Sequence, residues 1–270
     1  MGWVILIAEI KGKISSTGSN LNERLEDNLT GNFFGSLRYM SFQNGLKKIL
    51  LQGISPNNDN ADNIKDIIKN IDVEEWNDNI SFWPYDKEGE IDVLLNFDSC
   101  IIGIEVKYLS GLSSDDDICN SNKSVKDDTV EVKSRNQLSR ESGIVSRKGI
   151  DKEKILIFIA DQQSCIDTYE NVTNRNIIEK DVNLVYISWQ KILEVLKSLQ
   201  CTNTYEKIII DDLINLLIKK GFEQFKDFLV EDLIINEDFY EFGDIKRVIK
   251  KDCIRFFIEE NIEGDLYYEF

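Results

Sequence analysis

Histidine is absent from all 270 residues. Ser–His and Cys–His catalysis and His-ligated metals are thereby excluded. Proline is almost missing, with only Pro56 and Pro84. No linker rich in Pro, Gly or Ser divides the chain, and there is no internal repeat. Cysteine is sparse. The 5 thiols, at Cys100, Cys119, Cys165, Cys201 and Cys253, have no CxxC spacing, which argues against a zinc site or disulfide framework and for reduced thiols. Long apolar runs are lacking as well. The segment WVILIAEI near the N-terminus is too short to span a bilayer, and Glu9 and Lys11 interrupt it. Without a charged start or a small-residue cleavage site it does not read as a signal peptide. It is expected to be a strand, and the chain to be cytoplasmic and off the membrane. Positive charge is scarce too: 32 Lys and Arg stand against 49 Asp and Glu, a net charge of −17. Taken alone, that sign disfavours a nucleic-acid binder. Net charge does not describe a local cleft, however. Residues 133–148 carry Lys133, Arg135, Arg140, Arg147 and Lys148 against one acid, Glu141.

What is present can build a core, since 42% of residues are hydrophobic. From Leu21, apolar residues recur at Leu25, Leu29, Phe33 and Leu37, one face of a helix with Gly31 and Gly35 as weak points. GLKKILLQ is a second apolar stretch and NIKDIIKNI a short helix. IDVLLNF and IIGIEVKY read as two strands joined by a tight turn at DSC. A polar loop then leads to a helix over 132–142. KILIFIAD and NLVYISW read as buried strands by their continuous apolar runs, QKILEVLKSLQ as a helix, and 205–220 as a longer helix capped by Gly221. The order predicts an α/β fold with a mixed central sheet flanked by helices. Residues 1–200 are expected to form the main domain, and 201–270 a helical, acidic C-terminal extension packed on it. Phe222, Phe225 and Phe228 read as anchors for that last segment.

The strand pair poses the chemical question. Asp92 lies early in one strand, and Glu105 and Lys107 lie among the aliphatic residues of the other. Residues two apart share a face, so Glu105 and Lys107 point the same way, and antiparallel pairing about the turn brings Asp92 beside them. Buried charges need partners or a metal. Two carboxylates with an ammonium beside them suit Mg²⁺, which takes hard oxygen ligands and substrate phosphate. The lysine can stabilise developing charge or help activate an attacking water.

Asp92, a spacer, then Glu105-Val106-Lys107 at the end of a hydrophobic strand resembles the PD-(D/E)xK nucleases, with Ile91 where the pattern has proline. The resemblance covers residues 19–161. It implies a restriction-endonuclease-like core and Mg²⁺-dependent hydrolysis of phosphodiester bonds, with Mn²⁺ able to substitute. The metal is expected on Asp92, Glu105 and the backbone carbonyl of Val106. Glu26 lies at the edge of the apolar stripe of its helix, with Glu23 and Asp27 further toward solvent. It resembles the helical glutamate that many of these nucleases add to the metal site; an ordinary salt bridge is the alternative. On the helix in KSRNQLSRE, Lys133, Gln137, Arg140 and Glu141 share a face. Gln137 resembles an accessory glutamine that contacts the nucleophile or the phosphate. Arg140, with Lys133 near it, is a candidate for the scissile phosphate. Arg135 and Glu141 read as solvated, Glu90 as loop, and Phe82 to Pro84 as core packing. The expected substrate is DNA before RNA, in a restriction or phage-defence setting, with a homodimer or partner subunit left open. The alternatives are an RNA or branched-DNA nuclease and a non-catalytic binding module.

Overall fold

Alternate residues of each central strand bury against opposite helical layers, and this alternation sets the architecture. In the computed structural model, which describes residues 21–56, 61–108, 112, 136–201, 203–223, 249–250 and 253–254, five strands form one mixed sheet. In chain order they are β1 (Ile80–Phe82), β4 (Val93–Asn96), β5 (Cys100–Val106), β6 (Glu153–Ala160) and β7 (Asn183–Ser188), and they also lie side by side in that order. A small hairpin of β2 (Tyr85–Asp86) and β3 (Gly89–Glu90) interrupts the run. The β1–β4 and β4–β5 pairings are antiparallel, and β5–β6 and β6–β7 are parallel.

The parallel pairs require crossovers. α4 (Gln137–Lys148) and α5 (Gln162–Asn174) supply them, and both pack on the face that carries Ile101, Leu156, Phe158, Leu184 and Tyr186. The opposite face, with Ile102, Ile104, Val106, Ile155, Ile157 and Ile159, is covered by α1 (Leu21–Leu37), α2 (Leu46–Leu50), α3 (Ala61–Lys69), α6 (Trp189–Ser198) and α7 (Thr204–Lys219). The chain is thus α/β, with a mixed five-stranded sheet between helical layers. It divides into two compact units, 1–224 and 225–270. In the second unit β8 (Ile249–Lys250) pairs antiparallel with β9 (Cys253–Ile254). Among the described residues no helix is long and apolar enough to cross a membrane.

Several expectations are corrected. The helix expected over 132–142 begins at Gln137, where Asn136 accepts from the N–H groups of Leu138 and Ser139, and runs on to Lys148. α5, capped by Asp161, was not foreseen between the two buried strands. Gly31 and Gly35 do not break α1, whose apolar face is pinned by Phe33 and Phe34 in the core. Asp27, expected toward solvent, is buried. α7 ends as anticipated. Gly221, with φ of 85°, donates to Ile218, and Phe222 donates to Leu217, which closes the last carbonyls in a left-handed cap. Phe222 then stacks on Trp189, while Phe225 and Phe228 lie outside the described residues, as does the N-terminal segment WVILIAEI. Phe82 and Trp83 are buried as core.

Gly103 sets the approach of α4 to the sheet. A Cβ there would stand 2.6 Å from Val145 Cγ2 and 3.2 Å from Leu156 Cδ1. Gly103→Ala is expected to cost about 1–3 kcal/mol by overpacking, read as a lowered urea midpoint. Because the same contact seats α4, the substitution should also displace Gln137 and Glu141. A midpoint equal to wild type would show that the helix is not seated by this contact.

Candidate functional site

The β4–β5 register aligns Val93 with Ile104, so Asp92 falls opposite Glu105, at the end of the sheet where β5 gives way to Lys107. Asp92 Oδ2 accepts from the Val106 N–H at 2.9 Å, which turns the carboxylate toward β5. Its own carbonyl is held by the Trp83 N–H. Trp83 has φ of 47°, a left-handed conformation unusual for a bulky residue and found here directly before Pro84. Lys107 is locked at both backbone groups: its N–H donates to the Ile159 carbonyl at 2.7 Å, and its carbonyl accepts from Trp189 Nε1 at 2.9 Å. The side chain therefore leaves from a fixed point.

Lys107 Nζ lies 2.8 Å from Glu105 and 2.9 Å from Glu26. Glu26 reaches across from α1 and also accepts from the Tyr108 N–H at 3.1 Å. All three side chains are nearly sealed from solvent. Burial opposes the lysine charge, but Glu105 and then Glu26 outweigh it and hold the ammonium above the ordinary lysine range. Gln137, the first residue of α4, donates from Nε2 to Glu105, which fixes the orientation of that carboxylate. Glu26, Asp92, Glu105, Lys107 and Gln137 thus come together from α1, the β4 entry, β5 and α4.

Arg140 points elsewhere: Nη1 donates to the Glu88 carbonyl at 2.6 Å, in the β2–β3 hairpin. Arg147 pairs with Asp86 and Glu88 of the same hairpin, both at 2.8 Å. Glu90, expected in a loop, pairs with Tyr85 in that hairpin. Lys133 and Arg135 lie outside the described residues.

Glu141 was expected in solvent and is instead 2% exposed. It sits one turn after Gln137, on the same face of α4. Neither of its oxygens accepts a hydrogen bond of good geometry, although Glu105 and Gln137 lie within reach of weak ones. Burial pushes its carboxyl up to about 8, with Asp92 adding to the rise and Glu105, Gln137 and Lys107 opposing it. Burial also raises Glu105, seconded by Glu141, and raises Asp92, seconded by Glu105. The spacing from Gln137 to Glu141 was the available signal for this residue; the acidic, polar composition of the helix masked it.

Oxygen is the only donor type among these groups, which suits a hard divalent cation, and the orphaned Glu141 oxygens are the kind of buried atoms such an ion satisfies. Among the described residues, no three Asp, Glu or Cys side chains are arranged as a ready-made metal cluster; the Lys107 ammonium sits between two of the carboxylates. Comparison with protein-family models, curated proteins and solved structures finds no match.

The raised carboxyl values have a pH consequence. A carboxyl whose folded pKa is raised holds a proton that the unfolded chain releases. Its stabilising effect is complete below the ordinary carboxylate range and is lost as pH rises through the folded value. The melting temperature without divalent ions should therefore fall between about pH 5 and pH 8, the upper bound being the Glu141 value. Lys107 stays charged throughout this window and leaves the slope alone. Glu141→Gln should flatten the fall; an unchanged slope would place the titration on other groups.

Proposed function

We propose that the chain is a Mg²⁺-dependent nuclease that hydrolyses phosphodiester bonds, in DNA before RNA, on a restriction-endonuclease-like core of the PD-(D/E)xK type. The observation that carries this reading is the meeting of Asp92, Glu105 and Lys107 at one end of an antiparallel strand pair, with Gln137 and Glu26 bonded to them. Asp92, Glu105 and the Val106 carbonyl are the groups that would hold Mg²⁺, which when bound polarises the phosphate and lowers the pKa of the attacking water. The protein's own contributions follow from the contacts. The Val106 N–H and Gln137 orient the two carboxylates. Lys107 is held protonated, so it acts as a cation toward charge building on the phosphate oxygens, not as the base that takes the proton of water. This favours the first of the two roles its position allows. Glu26 fixes the ammonium through a second ion pair.

The same neutralisation of Lys107 by two carboxylates also suits a non-catalytic binding module that keeps the motif for its packing. Incubation with duplex, single-stranded and branched DNA and with RNA, each with Mg²⁺ and with EDTA, separates the two. Cleavage of DNA with Mg²⁺ and none with EDTA is expected. Retention of nucleic acid without cleavage under every condition favours the binding module.

A further inference from the structure

Glu141 is a buried acid on the face of α4 that carries Gln137. Among the described residues it alone buries both oxygens of a carboxyl group without a hydrogen bond of good geometry. The ionised form in that condition costs several kcal/mol unless a cation or donor reaches it, so the empty site holds a proton that a cation can displace. Three cations near α4 among the described residues have other partners. Lys107 is shared between Glu26 and Glu105, Arg140 donates to the Glu88 carbonyl, and Arg147 spans Asp86 and Glu88.

The position of the side chain is defined by its neighbours on α4. One turn earlier, Gln137 bonds to Glu105; one turn later, Val145 lies over Gly103. Glu141 therefore faces β5 between Gly103 and Glu105, and it interacts with both Glu105 and Asp92. Glu26, by contrast, has one oxygen on Lys107 and the other on the Tyr108 N–H.

We infer that Glu141 is a ligand of a divalent cation that it shares with Asp92 and Glu105, while Glu26 positions Lys107 and stays off the metal. The assignment rests on the metal-dependent reading above and departs from it in the ligand set: the helix that follows the strands, not the helix that precedes them, supplies the third carboxylate. The three carboxyls are neighbours, not a preformed triad, so an ion must draw them together. Hard oxygen donors on three separate elements fit Mg²⁺ or Mn²⁺.

The test uses Mn²⁺ and the full chain, with affinity read by calorimetry and by loss of the free Mn²⁺ resonance, so that no turnover is needed. Glu141→Gln, which keeps the side-chain shape, should weaken Mn²⁺ by about tenfold or more, at least the loss that follows when a supporting group of a metal site is removed. Glu26→Gln should weaken it less than Glu141→Gln does, through the loss of a neighbouring charge alone. Glu141→Cys should exchange a preference for Mn²⁺ for one for Cd²⁺, because a thiolate favours the softer ion; a merely structural glutamate would produce no such switch. If Glu105→Gln loses Mn²⁺ while Glu141→Gln binds it as wild type does, the inference is overturned and the metal-dependent reading stands. If the wild-type chain takes up no Mn²⁺, both fall.

Discussion

Asp92→Ala and Glu105→Ala are each expected to lower Mg²⁺-dependent cleavage by about a hundredfold or more, and Lys107→Ala by a similar factor, the scale of losing one group that stabilises transition-state charge. The expectation comes from the convergence of these side chains. Asp92 is oriented by the Val106 N–H, Glu105 by Gln137, and Lys107 by two backbone hydrogen bonds. The losses should lie mainly in kcat, because the groups act on charge that builds up during the reaction. Gln137→Ala should lose less, since it removes only the orientation of Glu105. Cleavage at the wild-type rate by folded Asp92→Ala protein would sink the nuclease assignment.

The second large effect concerns stability. Lys107→Met keeps the length of the side chain and removes its charge, leaving Glu26 and Glu105 buried against each other without a counter-ion. Breaking a buried pair from one side costs about 3–5 kcal/mol, so the urea midpoint should drop severely at pH 8. The loss should shrink toward about pH 5, because abandoned carboxyls in a buried site take up protons there. The double variant with Glu105→Gln should recover part of it, since one of the two repelling charges is gone. A loss that does not vary with pH would mean that Lys107 acts through packing and not through its charge.

Part of the candidate site was legible in the chain because strands have a period of two. Once IDVLLNF and IIGIEVKY were read as strands joined by a short turn, Asp92, Glu105 and Lys107 had to meet, and the observed register brings them together. Glu26 was within reach of the same argument, since a period of 3.6 put it beside the apolar stripe of α1. Its partner could not be read, because the contact from Glu26 to Lys107 spans 81 residues. The amphipathic pattern did not decide between a metal ligand and a salt bridge.

α5 and the two short edge features, β1 and the β2–β3 hairpin, were not visible locally. QQSCIDTYENVTN has weak amphipathicity, and its helix is fixed by the cap at Asp161 and by the crossover that parallel β6 and β7 demand. Arg140 and Glu141 show the same limit at the level of single side chains. Both are charged, neighbouring residues in a polar stretch, and in isolation both suit a solvated face. The hairpin takes Arg140 through the Glu88 carbonyl, whereas the gap over Gly103 lets α4 settle close enough to bury Glu141.

The sequence by itself determined the α/β class, the strand pair and the three-residue cluster on it, because these follow from periodicities of two and 3.6 that act over a few neighbouring residues. Only the tertiary structure decided that Lys107 is held charged by two acids, that Arg140 serves the hairpin, and that Glu141 is sealed beside Glu105. Those outcomes depend on which distant groups compete for each charge and on how closely a helix can approach the sheet. Desolvation and pairing are set by the packed surroundings, not by the residue type or its local spacing.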